Sequence, residues 1–268
     1  MLLRVKLSVL RPLLLSGLVL LLAACASTDD KTANMEPAKL YADAKDEMSS
    51  GAWDKAITLL EKLEGRAAGT PLAQQAQLDK AYSQRKMGEG VQAIATLDRF
   101  LKQHPASPAL DYALYLKGIV NFNDNLGLFG AIIKQDLSER DQKAAKDSFE
   151  AFKELVTRFP DSRYTPDARQ RMVYITNSLA QYEVHVARYY FNRSAYVAAI
   201  NRAQSALTDY RDVPAQEEAL YILMRSHDAM GMPALRDDAK RVLERTYPNS
   251  SYLTQGFKTQ KDAWWKLW

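Results

Sequence analysis

The sequence predicts an all-α fold, a solenoid of about five helical hairpins, and three observations carry that reading. Apolar residues recur three and four apart along most of the chain, and no strand-like alternation stands out. The same short pattern is spelled four times, a small residue followed by apolar ones and then a break. It runs Ala56 with Ile57, Leu60 and Leu63 to a break near Ala68. It recurs as Ala93 with Ile94, Leu97 and Phe100 to Pro105, and as Ser148 with Phe149, Phe152 and Leu155 to Pro160. Its last copy is Ala199 with Ile200, Ala203 and Ala206 to Arg211. Helix restarts match as well, at Thr70-Pro71, Ser107-Pro108, Thr165-Pro166 and Val213-Pro214, where proline suits a first helical turn. A small side chain at the head of a helix lets its partner helix approach closely.

The chain opens on a segment outside the fold. Arg4, Lys6 and Arg11 precede the apolar run Leu13 to Leu22, the layout of a secretory signal and too short for an ordinary membrane span. Residues 1–24 are read as that signal. It ends Leu22-Ala23-Ala24-Cys25, which resembles the bacterial lipobox and implies lipidation at Cys25. The alternative is an ordinary signal with an incidental cysteine. In lipoproteins an aspartate after the cysteine favours the inner membrane; Ala26-Ser27 here implies the outer one. Residues 25–36 form a small, polar tether whose flexible reach is roughly 20 Å.

Composition excludes several classes. The whole chain carries 36 basic and 32 acidic residues; the signal holds three basic and none acidic, leaving 33 against 32, or +1. A near-neutral solenoid is a poor general nucleic-acid binder. With one cysteine and that one lipidated, packing alone holds the fold.

The hairpins follow over residues 37–252. The first is expected at about Pro37–Glu64, turning at Gly51. The second spans Pro71–His104 and turns at Met87-Gly88-Glu89-Gly90. The third begins with a helix from Pro108 to about Asn123 that is apolar nearly all round. An insertion from Asp124 to about Gln142 follows, with Leu128, Phe129 and Ile132 among its apolar residues. Such an insertion either touches a partner or folds back over its own groove. Thr165 is expected to cap a helix running unbroken to about Asn192, and the fourth hairpin turns near Arg193-Ser194-Ala195-Tyr196. The fifth, Pro214–Tyr247, carries Arg236, Asp237 and Lys240 where small and apolar residues stood before, as a terminal repeat should. Residues 253–268 form an aromatic and basic tail. Leu253, Phe257, Trp264 and Trp268 fall on one helical stripe, with Trp265 beside it, so the tail caps the last hairpin, enters a membrane surface or binds another subunit.

The hairpin spacing resembles the tetratricopeptide repeat, with its period of about 34 residues, and implies a right-handed superhelix. A closer resemblance rests on Asp147 to Pro160, Asp167 to Met172, Glu183 to Tyr190, Ala195 to Arg202, and Ser138-Glu139-Arg140-Asp141 in the insertion. These stretches resemble the BamD (ComL) family, tetratricopeptide lipoproteins of the outer-membrane β-barrel assembly machinery, over essentially the whole mature chain. The resemblance implies a scaffold without chemistry of its own. Its C-terminal repeats would bind the POTRA region of the barrel subunit BamA; it would hold accessory lipoproteins and receive unfolded outer-membrane proteins at its N-terminal repeats. The family's Asn-Arg pair matches Asn201 and Arg202, with Tyr196 and Arg193 on the same partner-facing end. The alternative for Arg202 is a simple pair with a carboxylate of a neighbouring repeat. Tyr41, Lys45, Tyr82, Arg85 and Tyr115 stand at groove-facing positions, where such residues also serve merely to pack. The family's aromatic-proline turn after repeat one is replaced by Ala67-Ala68-Gly69, which puts a substrate contact there in doubt.

Two other classes share some of these features. A tetratricopeptide lipoprotein of pilus assembly would share anchor and repeats but lack the insertion and the repeat-four motif. A periplasmic cell-wall hydrolase needs a positioned acid, and no glutamate stands in a catalytic motif. His104, His185 and His227 share no ligand spacing, so neither metal nor cofactor is expected.

Overall fold

The computed structural model describes residues 32, 34–122 and 142–257. Among them the chain is all-α and its consecutive helices pack as hairpins. The helices are α1 (Pro37–Ser50), α2 (Trp53–Arg66), α3 (Pro71–Lys86), α4 (Gly90–Gln103), α5 (Leu110–Asn121) and α6 (Gln142–Arg158). They continue with α7 (Thr165–Asn192), α8 (Tyr196–Asp209), α9 (Ala215–Ala229), α10 (Pro233–Thr246) and the short α11 (Ser251–Gln255). Two compact units result, Met1–Ala76 and Gln77–Trp268, with the boundary inside α3.

In the first unit α1 packs on α2 through Leu40, Ala44, Ala56, Leu60 and Leu63, all fully buried. The residues just before α1 are tied down: Lys62 donates to Thr32 Oγ1 at 3.0 Å, and Arg66 donates to the Thr32 carbonyl. Thr70 caps α3 as its sequence suggests, accepting the Ala73 N–H at 3.3 Å.

The second unit stacks the remaining hairpins around three successive apolar clusters. Leu78, Ala81, Leu97, Phe100, Leu110 and Ala113 join α3, α4 and α5. Leu114, Phe152, Leu155, Ala168 and Ile175 join α5, α6 and α7. An alanine-rich cluster, with Ala180, Ala187, Ala199, Ala203 and Ala219, joins α7, α8 and α9. Each fully buried Leu or Phe contributes about 1.5–3 kcal/mol. The alanines contribute less area and let α7, α8 and α9 lie close together. α10 offers only Leu243 as a buried residue, and Arg236 there bonds Asp228 and Asp237 in the open, which explains its charged sequence.

All four small residues of the repeated pattern are fully buried. At Ser148 the hydroxyl donates to the Gly118 carbonyl of α5 at 2.9 Å, satisfying the buried donor. Gly118 is needed for the same approach, because a Cβ there would overlap the Phe152 ring.

One turn closes four of the five hairpins. A residue one or two past the helix end adopts a left-handed φ, +81° at Gly51 and Gly88 and +69° at Gly231; Ser194 holds +59° in the fourth. In each, the following N–H returns to the carbonyl five residues back, as Ala195 does to Tyr190 at 3.0 Å.

The structure moves three helix starts. α5 begins at Leu110 and not at Pro108, with Ser107 accepting the Ala109 N–H. Thr165 is the first residue of α7, not its cap; its hydroxyl donates to the Phe159 carbonyl at 2.7 Å and closes the break between α6 and α7. Pro214 sits one position before α9. At the C-terminus α11 ends at Gln255 and Gly256 takes φ +72°, so a single helical stripe does not run from Leu253 through Phe257. Phe257 instead packs on Tyr221 and Phe191, with ring centroids 4.9 and 5.2 Å away. Trp264, Trp265 and Trp268, the insertion residues Leu128, Phe129 and Ile132, and Cys25 lie outside the described residues.

Gly118→Ala is expected to destabilise the protein by about 1–3 kcal/mol, since Phe152 is fully enclosed and has nowhere to yield. Urea unfolding followed by far-ultraviolet circular dichroism measures it, and Gly65→Ala, with open space around the position, serves as the control.

Candidate interaction surfaces

The fourth hairpin holds the most developed polar constellation. α7 is long enough to pack on α6, α8 and α9, and it places Glu183 on the face turned towards α8. There the Arg202 guanidinium donates to Glu183 Oε2 at 3.1 Å. The carboxylate is 9% exposed and the guanidinium 45%, so one member is sunk and the other reaches solvent. This is the carboxylate pair that the sequence offers as the alternative for Arg202, formed within one hairpin and not with a neighbouring repeat. His185, two residues from Glu183, is exposed, because positions two apart on a helix diverge.

The same helix builds a second arrangement one turn on. Arg188 grips both oxygens of Glu218 on α9, and Tyr252 of α11 donates to that carboxylate at 2.9 Å. Burial, then the Glu218 charge, push the Tyr252 phenol up. Three helices are thus tied through one buried acid that sequence reading missed. Its only signal was a single acidic residue among the buried apolar ones of α9.

Asn201 and Arg202 are exposed on α8. Tyr196 packs its ring on Phe191 at 5.6 Å. Arg193 lies over the half-exposed Tyr189 ring at 4.6 Å, a cation–π contact. Arg193 and Tyr196 therefore stand at the turn of the fourth hairpin, and Asn201 and Arg202 half-way along its second helix.

The groove candidates do not form one set. In the first unit, Lys45 stands 5.9 Å above the Tyr41 ring. In the second, Lys86 lies over Tyr82 at 5.5 Å, and Arg85 is half-buried beside them on α3. Tyr115 is committed internally: it donates to Asp167 Oδ2 at 2.7 Å and stacks on Tyr164 at 4.7 Å. Arg171 completes the network, donating to Asp167 at 2.6 Å and covering the Phe122 ring. Burial pushes the Asp167 carboxyl up, but hydrogen bonds from Arg171 and Tyr115 outweigh it and hold it below the ordinary carboxylate range. Burial and the neighbouring Asp79 push the Tyr112 phenol up to about 12.

None of this geometry assembles a nucleophile with a base. Among the described residues no three potential ligands cluster for a metal ion, and no helix is long and apolar enough to cross a membrane. What the geometry offers is surface: half-anchored cations and aromatic rings along helical hairpins.

Comparison with known proteins decides the family. The family model for outer membrane lipoproteins of the YfiO type matches residues 33–243. The chain belongs to that family. A relative in Neisseria meningitidis serogroup A, named outer membrane protein assembly factor BamD, is 42% identical over 96% of this chain and 98% of its own length. Proteins of the same name are 32% identical in Vibrio cholerae, over 86% of this chain and 96% of theirs, and 33% identical in Xylella fastidiosa, over 87% and 80%. The YfiO-family match runs from before α1 into α10, the Glu183–Arg202 pair included.

The Asp167 network carries a pH signature. A depressed carboxyl contributes stability that is complete above about pH 4, the ordinary range, and is lost as pH falls through its lowered value. Tyr115→Phe removes one donor, so the Asp167 carboxyl is expected to titrate at higher pH, as read by ¹³C-carboxyl resonances.

Proposed function

We propose that this chain is a non-catalytic scaffold lipoprotein of the outer-membrane β-barrel assembly complex. The observation that carries this reading is near-full-length similarity, at 42% identity, to proteins named as outer membrane protein assembly factors. The family's description as outer membrane lipoproteins supports residues 1–24 as the signal and Cys25 as the acylated residue. Residues 25–36 then tether the hairpins of 37–252 to the periplasmic face of the outer membrane, with 253–268 as a C-terminal tail.

In this reading the fourth hairpin faces the POTRA region of a BamA-type barrel subunit. Arg202 suits that role because Glu183 fixes one side of its guanidinium while the other remains in solvent. Asn201, Tyr196 and Arg193, on the same hairpin, are the further residues of this surface. Tyr41 and Lys45, with Tyr82 and Arg85, are the residues offered to unfolded outer-membrane proteins. Accessory lipoproteins complete the assembly. The relatives' names speak for this reading over pilus assembly or cell-wall hydrolysis.

Two outcomes test it. Arg202→Gln keeps hydrogen-bonding capacity towards Glu183 and removes the charge, whereas Arg202→Glu would set two carboxylates together. Arg202→Gln is expected to leave the thermal midpoint within a few degrees and to weaken co-purification of the POTRA-bearing barrel protein about tenfold. Unaltered recovery removes Arg202 from the interface. Cys25→Ser is expected to move the folded protein from membranes to the soluble periplasm, since three acyl chains at about 0.8 kcal/mol per buried CH₂ supply the anchoring. Fractionation after a high-salt wash measures it, and retention in the membrane argues for another anchor.

A further inference from the structure

A groove on the second unit, away from the Glu183–Arg202 pair, has its own chemistry. It lies between α6, the first half of α7 and the loop that joins α8 to α9, and it encloses about 620 Å³. Its apolar lining is Phe149, Val156, Met172, Val173, Val213 and Pro214. Val173 is 62% exposed, among the most exposed large apolar residues described. A volume of this order suits a short stretch of ligand and not a folded domain.

Polar groups at the groove point to one kind of ligand. Arg169 stands on α7 and Arg211 on the loop, both exposed, and neither makes an ion pair or side-chain hydrogen bond among the described residues. Asp212 is the one acidic side chain in the lining, so two guanidinium groups face one carboxylate. Each guanidinium presents a planar fork of donors suited to a carboxylate. Asn177, half-buried in the same lining, has a carboxamide without a hydrogen bond among the described residues. A carboxamide offers both a donor and an acceptor, which is what a peptide group requires of a partner.

We infer that this groove binds an extended peptide segment of a partner protein in which apolar side chains alternate with carboxylates. Apolar side chains fill the floor over Phe149, Met172 and Val173; carboxylates meet Arg169 and Arg211; the Asn177 carboxamide bonds the peptide backbone. The chain's own tail has the wrong charge for this groove, since Lys258, Lys261 and Lys266 would face two arginines. The inference stands apart from the assembly reading above: it requires only the groove and its charges.

The test uses the full-length protein and two fluorescein-labelled synthetic nonapeptides, one alternating leucine with aspartate and one alternating leucine with lysine. Fluorescence anisotropy is expected to show saturable binding of the aspartate peptide and none of the lysine peptide. Affinity should fall at least tenfold in the double variant Arg169→Glu/Arg211→Glu and likewise in Val173→Asp. The altered side chains are exposed, so thermal midpoints serve as the folding check. Hydrogen exchange on the unmodified protein gives a reading that needs no variant: added aspartate peptide should slow exchange in α6 and in residues 169–177. The proposal is overturned if the aspartate peptide does not bind, or binds the variants as well as it binds the original protein. It is equally overturned if the lysine peptide or a peptide of residues 258–268 binds as tightly, or if protection appears away from α6, α7 and the loop of residues 210–214. Sedimentation showing a dimer that Val173→Asp abolishes would assign the groove to a second copy of the chain and also overturn it.

Discussion

Close approach of paired helices is the constraint on which the rest of the structure depends. Each second helix of the first four hairpins carries, near its start, a side chain no larger than a methyl or a hydroxymethyl group, at Ala56, Ala93, Ser148 and Ala199. Where these helices meet their partners, larger groups such as Leu60, Phe100 and Phe152 enclose the contact from its sides. A large residue at such a position would separate the pair and expose what its neighbours bury. The third hairpin takes the constraint furthest, with Gly118 opposite the Phe152 ring and Ser148 bonded to the Gly118 carbonyl. That contact is possible only because one helix offers bare backbone and the other a hydroxyl short enough to reach it.

Upon this apolar frame, buried carboxylates set how the later hairpins join. Glu183 and Glu218 both lie on packed faces, and each is answered by an arginine of another helix. Such pairs add little net stability compared with apolar packing, because desolvation offsets most of the attraction. Losing one partner is costly, however, so they penalise any arrangement in which the helices slide. The Arg188–Glu218–Tyr252 arrangement extends this to α11, which has no buried residue of its own. The start of the C-terminal segment is therefore placed by the Tyr252 phenol and by Leu253 and Phe257, which pack on Leu220, Tyr221 and Leu243.

Much of this was legible in the sequence because it repeats. The all-α class, the five hairpins and the buried small residues follow from local spacing, and α7 was expected to end where it does, at Asn192. The family was legible too, in the stretches around Asp147–Pro160 and Ala195–Arg202. Helix starts were less so: Thr165 has the chemistry of a cap but spends its hydroxyl on the preceding helix. The polar networks were not legible, because Glu183 meets an arginine 19 residues away and Glu218 one 30 residues away. Those separations depend on the register between helices, which no local pattern encodes. Tyr115 illustrates the converse, since its position marks it for the groove while Asp167 and Tyr164, on later segments, claim its hydroxyl and ring.

The third hairpin differs from the others in one respect that bears on the continuity of the chain itself. Four hairpins are closed by a tight left-handed turn, whereas α5 and α6 are joined by residues 123–141. The register of α5 against α6 is held by side chains, by the Gly118–Phe152 contact and the Ser148 hydroxyl, rather than by the length of the connection. A covalent link supplies such a pair mainly with effective concentration. α5 and α6 therefore carry complementary faces that recognise each other without a tight turn between them.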